Sequence, residues 1–141
     1  MIVYLDTSSL VKLYVEENGS ANVTALVESS DVVATSLIAY AEARAAFARR
    51  FREKAFTSKE YERLLMSFNK DWDSYLAVKV NKDLVQMAGD LADSYTLRGY
   101  DAIHLASAMT LQQELSSPIA FSCFDKILQK ASELVDLNQP Q

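Results

Sequence analysis

Cysteine, histidine, glycine and proline are all scarce in this sequence. Its 141 residues include one cysteine, one histidine, three glycines and two prolines. A single cysteine excludes an internal disulfide, and one cysteine with one histidine is too few for a zinc site built from these residue types. Any bound metal ion must therefore be held by oxygen. The glycines Gly19, Gly89 and Gly99 are too widely separated for a phosphate-binding loop or a GxGxxG turn, which argues against NTP or dinucleotide binding.

The sequence also lacks the pattern of a serine hydrolase. No serine has the flanking glycines of a nucleophile elbow. His104 shares a helical face with Asp101, Leu105 and Ala108, so we interpret it as a core or supporting residue and not as a catalytic base. Cys123 is most simply a small, buried apolar residue.

Long hydrophobic runs are absent. No segment approaches the roughly 20 apolar residues of a membrane span, and neither a basic leader nor a signal-length apolar stretch precedes Asp6. Half of the residues are hydrophobic, and a chain of 141 residues can bury one continuous core. We expect one soluble, cytoplasmic domain spanning residues 1–141.

Positive charge is in deficit overall but concentrated in one stretch. The net charge is −5, which argues weakly against binding nucleic acid by charge alone. Residues 44–63 contain seven basic and three acidic side chains, a net +4 that leaves −9 for the rest of the chain. This stretch is either a basic arm for a phosphate backbone or a solvated helix face with i,i+4 pairs such as Arg49–Glu53.

Short apolar runs alternate with helical patterns along the chain. The runs predict strands at residues 2–5, 31–34, 77–80, 118–121 and 134–137. Strands that alternate with helices pair in parallel and carry helices on both faces. The pattern therefore predicts an α/β protein with a parallel sheet of about five strands.

Four carboxylates lie where the pattern predicts burial or a strand end. Asp6 closes the first strand and Asp125 follows the fourth, while Glu42 and Asp101 lie near the starts of two helices. Open parallel sheets bind ligands beyond the carboxyl ends of their strands. We therefore expect these four acids to meet at one edge of the sheet.

Each acid also has an ordinary explanation. Three of them, Asp6, Asp101 and Asp125, are plausible helix caps or first-turn acids, and Glu42 could pair with an arginine such as Arg98. Four acids bunched without a cation would repel one another and raise their pKa values. Mg²⁺ and Mn²⁺ prefer carboxylate oxygens and support phosphodiester hydrolysis. The cluster therefore indicates a metal-dependent nuclease.

Two hydroxyls lie close to these acids in sequence. Ser8 is two residues after Asp6, and Ser122 is three residues before Asp125. Both could orient a carboxylate or a phosphate as supporting residues, and ordinary capping or turn duty is an equal alternative.

The acid-bearing segments, read in order, resemble the motifs of the PIN domain, and most closely those of VapC-type toxin ribonucleases from toxin–antitoxin pairs. They are residues 4–14 (YLDTSSLVKLY), 40–44 (YAEAR), 97–106 (LRGYDAIHLA) and 121–126 (FSCFDK). The resemblance spans nearly the whole chain. One mild departure is Ser122, where the family often has threonine.

The resemblance implies a PIN-like three-layer α/β/α fold and an RNA-cleaving activity. It implies that Asp6 and Asp101 are the principal Mg²⁺ or Mn²⁺ ligands and that Glu42 and Asp125 complete the catalytic pocket. It also implies a homodimer and a small cognate antitoxin bound along the helices between residues 42 and 72. Two alternatives stay open: a non-catalytic PIN-like binding module, and a stand-alone RNA-processing nuclease without an antitoxin.

Overall fold

The computed structural model describes residues 1–140, in which four strands alternate with seven helices. The strands are β1 (Ile2–Leu5), β2 (Val32–Ser36), β3 (Leu76–Val78) and β4 (Ile119–Ser122). The helices are α1 (Thr7–Lys12), α2 (Ser20–Glu28), α3 (Ala39–Arg52), α4 (Ser58–Trp72), α5 (Lys82–Tyr95), α6 (Gly99–Leu115) and α7 (Lys126–Leu134). The last residue of the predicted domain, Gln141, lies outside the described residues.

The strands form one parallel sheet in the order β3-β2-β1-β4. In the centre, Val3 pairs with Val33 of β2 and with Ala120 of β4. Successive side chains of a strand point to opposite faces, so Tyr4 packs with the α5, α6 and α7 layer while Val3 and Leu5 pack with α1 to α4. The predicted three-layer α/β/α arrangement is confirmed. No helix within residues 1–140 is long and apolar enough to cross a membrane.

The fifth strand, predicted at residues 134–137, is not formed. Leu134 ends α7, and Asp136 has a positive φ of 64° that interrupts an extended backbone. Pairing with the sheet is reduced to one bridge between Asn138 and Ala120. The apolar side chains at residues 134–137 therefore belong to a helix end and a turn. A run of four residues is too short for periodicity to distinguish these structures from a strand.

Side chains cap α4 and α5. Thr57 forms a capping box with Glu60 at the start of α4, and the Asn81 side chain accepts a hydrogen bond at the start of α5. Within residues 1–140, no side chain caps α3, and the hydroxyl residues that precede it, Thr35 and Ser36, lie in β2. The hydroxyl of Thr35 instead donates to the carbonyl of Leu5 at 2.7 Å, which ties β2 to the end of β1.

Gly19, at the start of α2, has a backbone conformation and a close neighbour that both favour glycine. Its φ is +95°, and a Cβ atom there would lie 2.6 Å from Cε1 of Phe124. We expect Gly19→Ala to lower the free energy of unfolding by about 1–3 kcal/mol, because a side chain is strained in that region of φ. Urea denaturation measures the effect.

Gly89 provides the matched control. It lies within α5, and a Cβ atom there would contact nothing within 4 Å. Gly89→Ala should raise the free energy of unfolding by about 0.5–1 kcal/mol, since alanine is the better helix former. Equal stability changes in the two variants would contradict the special requirement at Gly19.

Candidate active site

The four predicted acids line one cavity at the carboxyl edge of the sheet. Asp6, Glu42, Asp101 and Asp125 all face this cavity, which has a volume of about 750 Å³. Four elements supply them: Asp6 follows β1, Glu42 is in the first turn of α3, Asp101 is in the first turn of α6, and Asp125 caps α7. The predicted convergence of remote carboxylates is therefore present. We call this space the acidic cavity.

Asp6 is buried and anchored through one of its two carboxylate oxygens. Its Oδ1 accepts hydrogen bonds from the Ser9 backbone N–H at 2.9 Å and from the Ser8 hydroxyl at 2.7 Å. Burial raises the pKa of Asp6, and the nearby His104 and these hydrogen bonds reduce the rise. Within residues 1–140, both hydrogen bonds to this carboxylate go to Oδ1, which leaves Oδ2 for another partner.

Ser122 contacts the backbone of Asp6 and the side chain of Ser9, and not the Asp6 carboxylate. Its carbonyl accepts the Asp6 backbone N–H at 3.1 Å, and its hydroxyl lies 2.9 Å from that of Ser9. Ser8 thus lies where a carboxylate-orienting residue is expected. Ser122 instead fixes the strand end from which Asp6 projects.

Glu42 is held by a chain of side chains that crosses the core. Oε1 of Glu42 accepts a hydrogen bond from the Thr7 hydroxyl and lies 3.0 Å from Nε2 of His104. On the far side of the ring, Nδ1 of His104 lies 2.7 Å from the Tyr4 hydroxyl. Burial raises the pKa of Tyr4, so its phenol stays protonated. Because the carboxylate oxygen of Glu42 is an acceptor, Nε2 of His104 carries the hydrogen of that contact, while the donor in the Tyr4 contact depends on the His104 tautomer.

The hydrogen bonds decide the charge state of Glu42. Burial alone would raise its pKa, but the hydrogen bonds from His104 and Thr7 outweigh burial and lower the pKa. Glu42 therefore stays ionised under conditions where the more deeply buried Asp6 is inclined to take up a proton. The two acids of the cavity are not chemically equivalent.

Arg98 pairs with the other two acids. Its Nε donates to Oδ2 of Asp101 at 2.9 Å, and its Nη2 lies 3.7 Å from Oδ1 of Asp125. The Arg98 side chain is 78% exposed, so the pairing is screened by solvent and contributes little to stability. The interpretation of Arg98 as a partner of Glu42 is wrong, because Thr7 and His104 occupy that position.

A basic network borders the same cavity. The Lys12 ammonium lies 3.2 Å from Oε1 of Glu17, whose Oε2 accepts from Arg50. Arg50 belongs to the basic stretch at residues 44–63, while Arg49 and Glu53 form the predicted i,i+4 pair at 3.4 Å. The basic stretch is thus partly a solvated helix face and partly a support for the cavity wall.

The donor set suits a hard divalent cation. Four carboxylates surround the cavity, and Asp6 has a raised pKa and a free oxygen, so a cation would relieve an electrostatic cost that is already present. Within residues 1–140, no three histidine, cysteine or acidic side chains are arranged closely enough to form a ready-made metal site. Oδ2 of Asp101 is engaged by Arg98, so a cation at this oxygen would have to replace the exposed guanidinium.

Three further side chains belong to the site, those of Thr7, His104 and Tyr4. Of these, a supporting role was predicted for His104 alone, and none for Thr7 or Tyr4. Thr7 directly follows Asp6, and His104 lies three residues after Asp101, on the same side of α6. The i,i+3 spacing was a usable signal for His104. Contact with Tyr4 depends on packing of α6 across the sheet, which spacing alone does not reveal.

Comparisons with known proteins agree with this architecture. The PIN domain model matches residues 3–134. Ribonuclease VapC45 of Mycobacterium tuberculosis (strain CDC 1551) is 39% identical over 114 residues, which cover 78% of this chain and 76% of that protein. Ribonuclease VapC49 of Mycobacterium tuberculosis (strain H37Rv) matches equally well. The crystal structure of Mycobacterium tuberculosis VapC20, a sarcin-ricin loop cleaving toxin, has a TM-score of 0.64 with 17% identity, covers 92% of this chain and 94% of its own, and shares the fold.

The raised pKa of Asp6 predicts that Asp6→Asn stabilises the metal-free protein. The pKa of Asp6 is higher in the folded protein than in the unfolded chain. Between these two pKa values the folded state binds more protons, so the stability of wild type falls as the pH rises through that range. Asparagine keeps the helix cap and cannot ionise. We expect the free energy of unfolding to rise by about 0.5–2 kcal/mol at pH 7 in EDTA.

Urea denaturation near pH 7 and at about pH 4 tests the origin of this gain. The gain should shrink at the lower pH, where the wild-type carboxyl is protonated in the folded state. Asp90→Asn, at an exposed acid on α5, is the matched control and should change stability by less than about 0.5 kcal/mol. An Asp6→Asn variant less stable than wild type at pH 7 would contradict the assignment.

Proposed function

The chain belongs to the PIN domain family and to its VapC group, and from this premise we propose that it is a Mg²⁺- or Mn²⁺-dependent endoribonuclease that hydrolyses RNA phosphodiester bonds. The observation that carries the proposal is the convergence of Asp6, Glu42, Asp101 and Asp125 on one cavity. We propose that residues 1–141 act as one PIN domain.

In this proposal Asp6 and Asp101 hold the cation, and Glu42 and Asp125 complete the catalytic pocket. A bound divalent cation would supply the Lewis acidity that activates water and offsets charge on the reacting phosphate. Ser8 donates a hydrogen bond to Oδ1 of Asp6, which leaves Oδ2 as the oxygen that would hold the cation. This division of the two oxygens supports the assignment of Asp6 as a ligand.

Glu42 is suited to accept a hydrogen bond from the attacking water and to orient it. Its hydrogen bonds with Thr7 and His104 both go to Oε1, which leaves Oε2 as the accepting atom within residues 1–140. The lowered pKa keeps the carboxylate ionised and makes Glu42 a weaker base than an ordinary glutamate. His104 acts as a positioning residue for Glu42, with Tyr4 fixing its ring.

The proposed biological role is that of the toxin in a toxin–antitoxin pair. It is supported by the similarity to two VapC ribonucleases and by the shared fold with a protein described as a toxin. The proposal includes a small cognate antitoxin, a homodimer and a cytoplasmic location. RNA is the proposed substrate class.

Replacing either principal ligand tests the activity. Asp6→Asn and Asp101→Asn should each reduce RNA cleavage in Mn²⁺ by at least about 100-fold, because each loses a charged oxygen ligand for the cation. Gel analysis of end-labelled RNA measures the rate, and thermal unfolding verifies that each variant is folded. Asp90→Asn should cleave like wild type. Undiminished cleavage by both ligand variants would sink the proposal.

Metal binding can be tested without any substrate. A ligand that binds only the folded state stabilises it by RT ln(1 + [L]/Kd), about 2.7 kcal/mol at a hundredfold excess over Kd. Millimolar Mn²⁺ should therefore raise the melting temperature of wild type, and this rise should be lost in the Asp6→Asn, Asp101→Asn double variant. No rise in wild type would count against a cation site among these carboxylates.

A further inference from the structure

We propose that Tyr100 and Phe124 form a stacking surface that binds unpaired bases of single-stranded RNA beside the acidic cavity. We call these two side chains the aromatic rim. The inference rests on the proposed ribonuclease function and deepens it by naming two side chains that would bind the substrate.

Both rings are exposed at the cavity itself. Tyr100 is 62% exposed and Phe124 is 40% exposed, although large apolar side chains usually contribute to a core. Both line the acidic cavity. Each ring also directly precedes one of the cavity acids, Tyr100 before Asp101 and Phe124 before Asp125. A base stacked on either ring would therefore place its phosphate close to the carboxylates.

The Phe124 ring is held in place and is not a loose surface side chain. The Lys12 ammonium lies 4.5 Å from the ring centroid, in a cation–π contact. The edge of the ring packs against Gly19. A Cβ atom at residue 19 would lie only 2.6 Å from Cε1 of Phe124, so the ring fits there because residue 19 has no side chain. A single exposed aromatic residue needs no explanation. A ring fixed between a cation and a glycine at a cavity mouth is pre-organised for a ligand.

Stacking on aromatic rings would supply binding free energy for RNA that the charge of this chain does not provide. With a net charge of −5 and a cavity lined by carboxylates, nonspecific attraction for a phosphate backbone is weak. Aromatic rings bind unpaired bases through their faces, largely independently of sequence. Bases within an RNA duplex are already stacked and cannot reach such rings. The aromatic rim therefore favours single-stranded RNA over a duplex.

The test is a binding measurement in the full chain carrying Asp6→Asn, which silences cleavage under the proposed function. The probe is a short single-stranded RNA containing 2-aminopurine, whose fluorescence is quenched on stacking, titrated in Mn²⁺. Tyr100→Ala and Phe124→Ala should each raise Kd by about 5- to 150-fold and relieve the quenching. Tyr100→Trp and Phe124→Trp should retain both.

Leucine variants separate stacking from simple apolar contact. Tyr100→Leu and Phe124→Leu keep apolar volume without an aromatic face, so they should behave like the alanine variants. The leucine variants also replace an alanine variant in the test if that alanine variant has a lower melting temperature. Met66→Ala, at an exposed apolar residue outside the cavity lining, should bind like the parent. The duplex form of the same RNA should bind at least about tenfold more weakly than the single strand.

Two results would overturn the inference. One is unchanged Kd and quenching in both alanine variants. The other is unchanged RNA binding together with a lower mass of the protein in sedimentation, which would identify the aromatic rim as a protein interface. Failure of the proposed function gives a different result, namely RNA cleavage by Asp6→Asn at the wild-type rate. In that case, the fluorescence quenching measured before cleavage has proceeded still shows whether bases stack on the rings.

Discussion

The convergence of four carboxylates on one crevice is the constraint on which the rest of this structure depends. A parallel sheet aligns the carboxyl ends of its strands, so residues that follow β1 and β4 are brought to one edge whatever their separation in sequence. Asp6 and Asp125 follow those strands, and the first turns of α3 and α6 add Glu42 and Asp101. Arg98 is the one guanidinium among the described residues paired with these acids, and it is largely exposed. The topology thus creates a concentration of negative charge that the protein only partly neutralises.

The protein handles its two buried acids in opposite ways. Asp6 has N–H and O–H donors on one oxygen, but burial dominates and raises its pKa. Glu42 is supported through His104 and Thr7, and its pKa falls. The stabilising contribution of Glu42 is present above its unfolded pKa and is lost as the pH falls through the folded pKa, whereas ionised Asp6 opposes folding as the pH rises. The two carboxylates therefore differ in how readily they take up a proton, although they line the same cavity.

The parts of this arrangement that could be predicted from sequence are those set by local pattern. Short apolar runs followed by acids predicted the sheet and the edge where Asp6 and Asp125 lie, because strand ends and helix caps are local features. The partners of those acids required the tertiary fold. His104 reaches Glu42 although α6 and α3 pack on opposite faces of the sheet, and Tyr4 reaches His104 through the core. The prediction of a fifth strand failed for a local reason. Asp136 has a positive φ, which is incompatible with an extended backbone although the neighbouring residues are apolar.

The basic stretch at residues 44–63 bears on how the proposed RNA substrate would be held. Two of its seven basic side chains are paired, Arg50 with Glu17 and Arg49 with Glu53, and the second pair is exposed and therefore weak. The net charge of −5 and the carboxylates of the cavity oppose binding of an acidic polymer by charge alone. Stacking on aromatic faces does not depend on the sign of the local potential. Under the proposed function, a divalent cation and the aromatic rim would therefore act together to make the acidic cavity compatible with RNA.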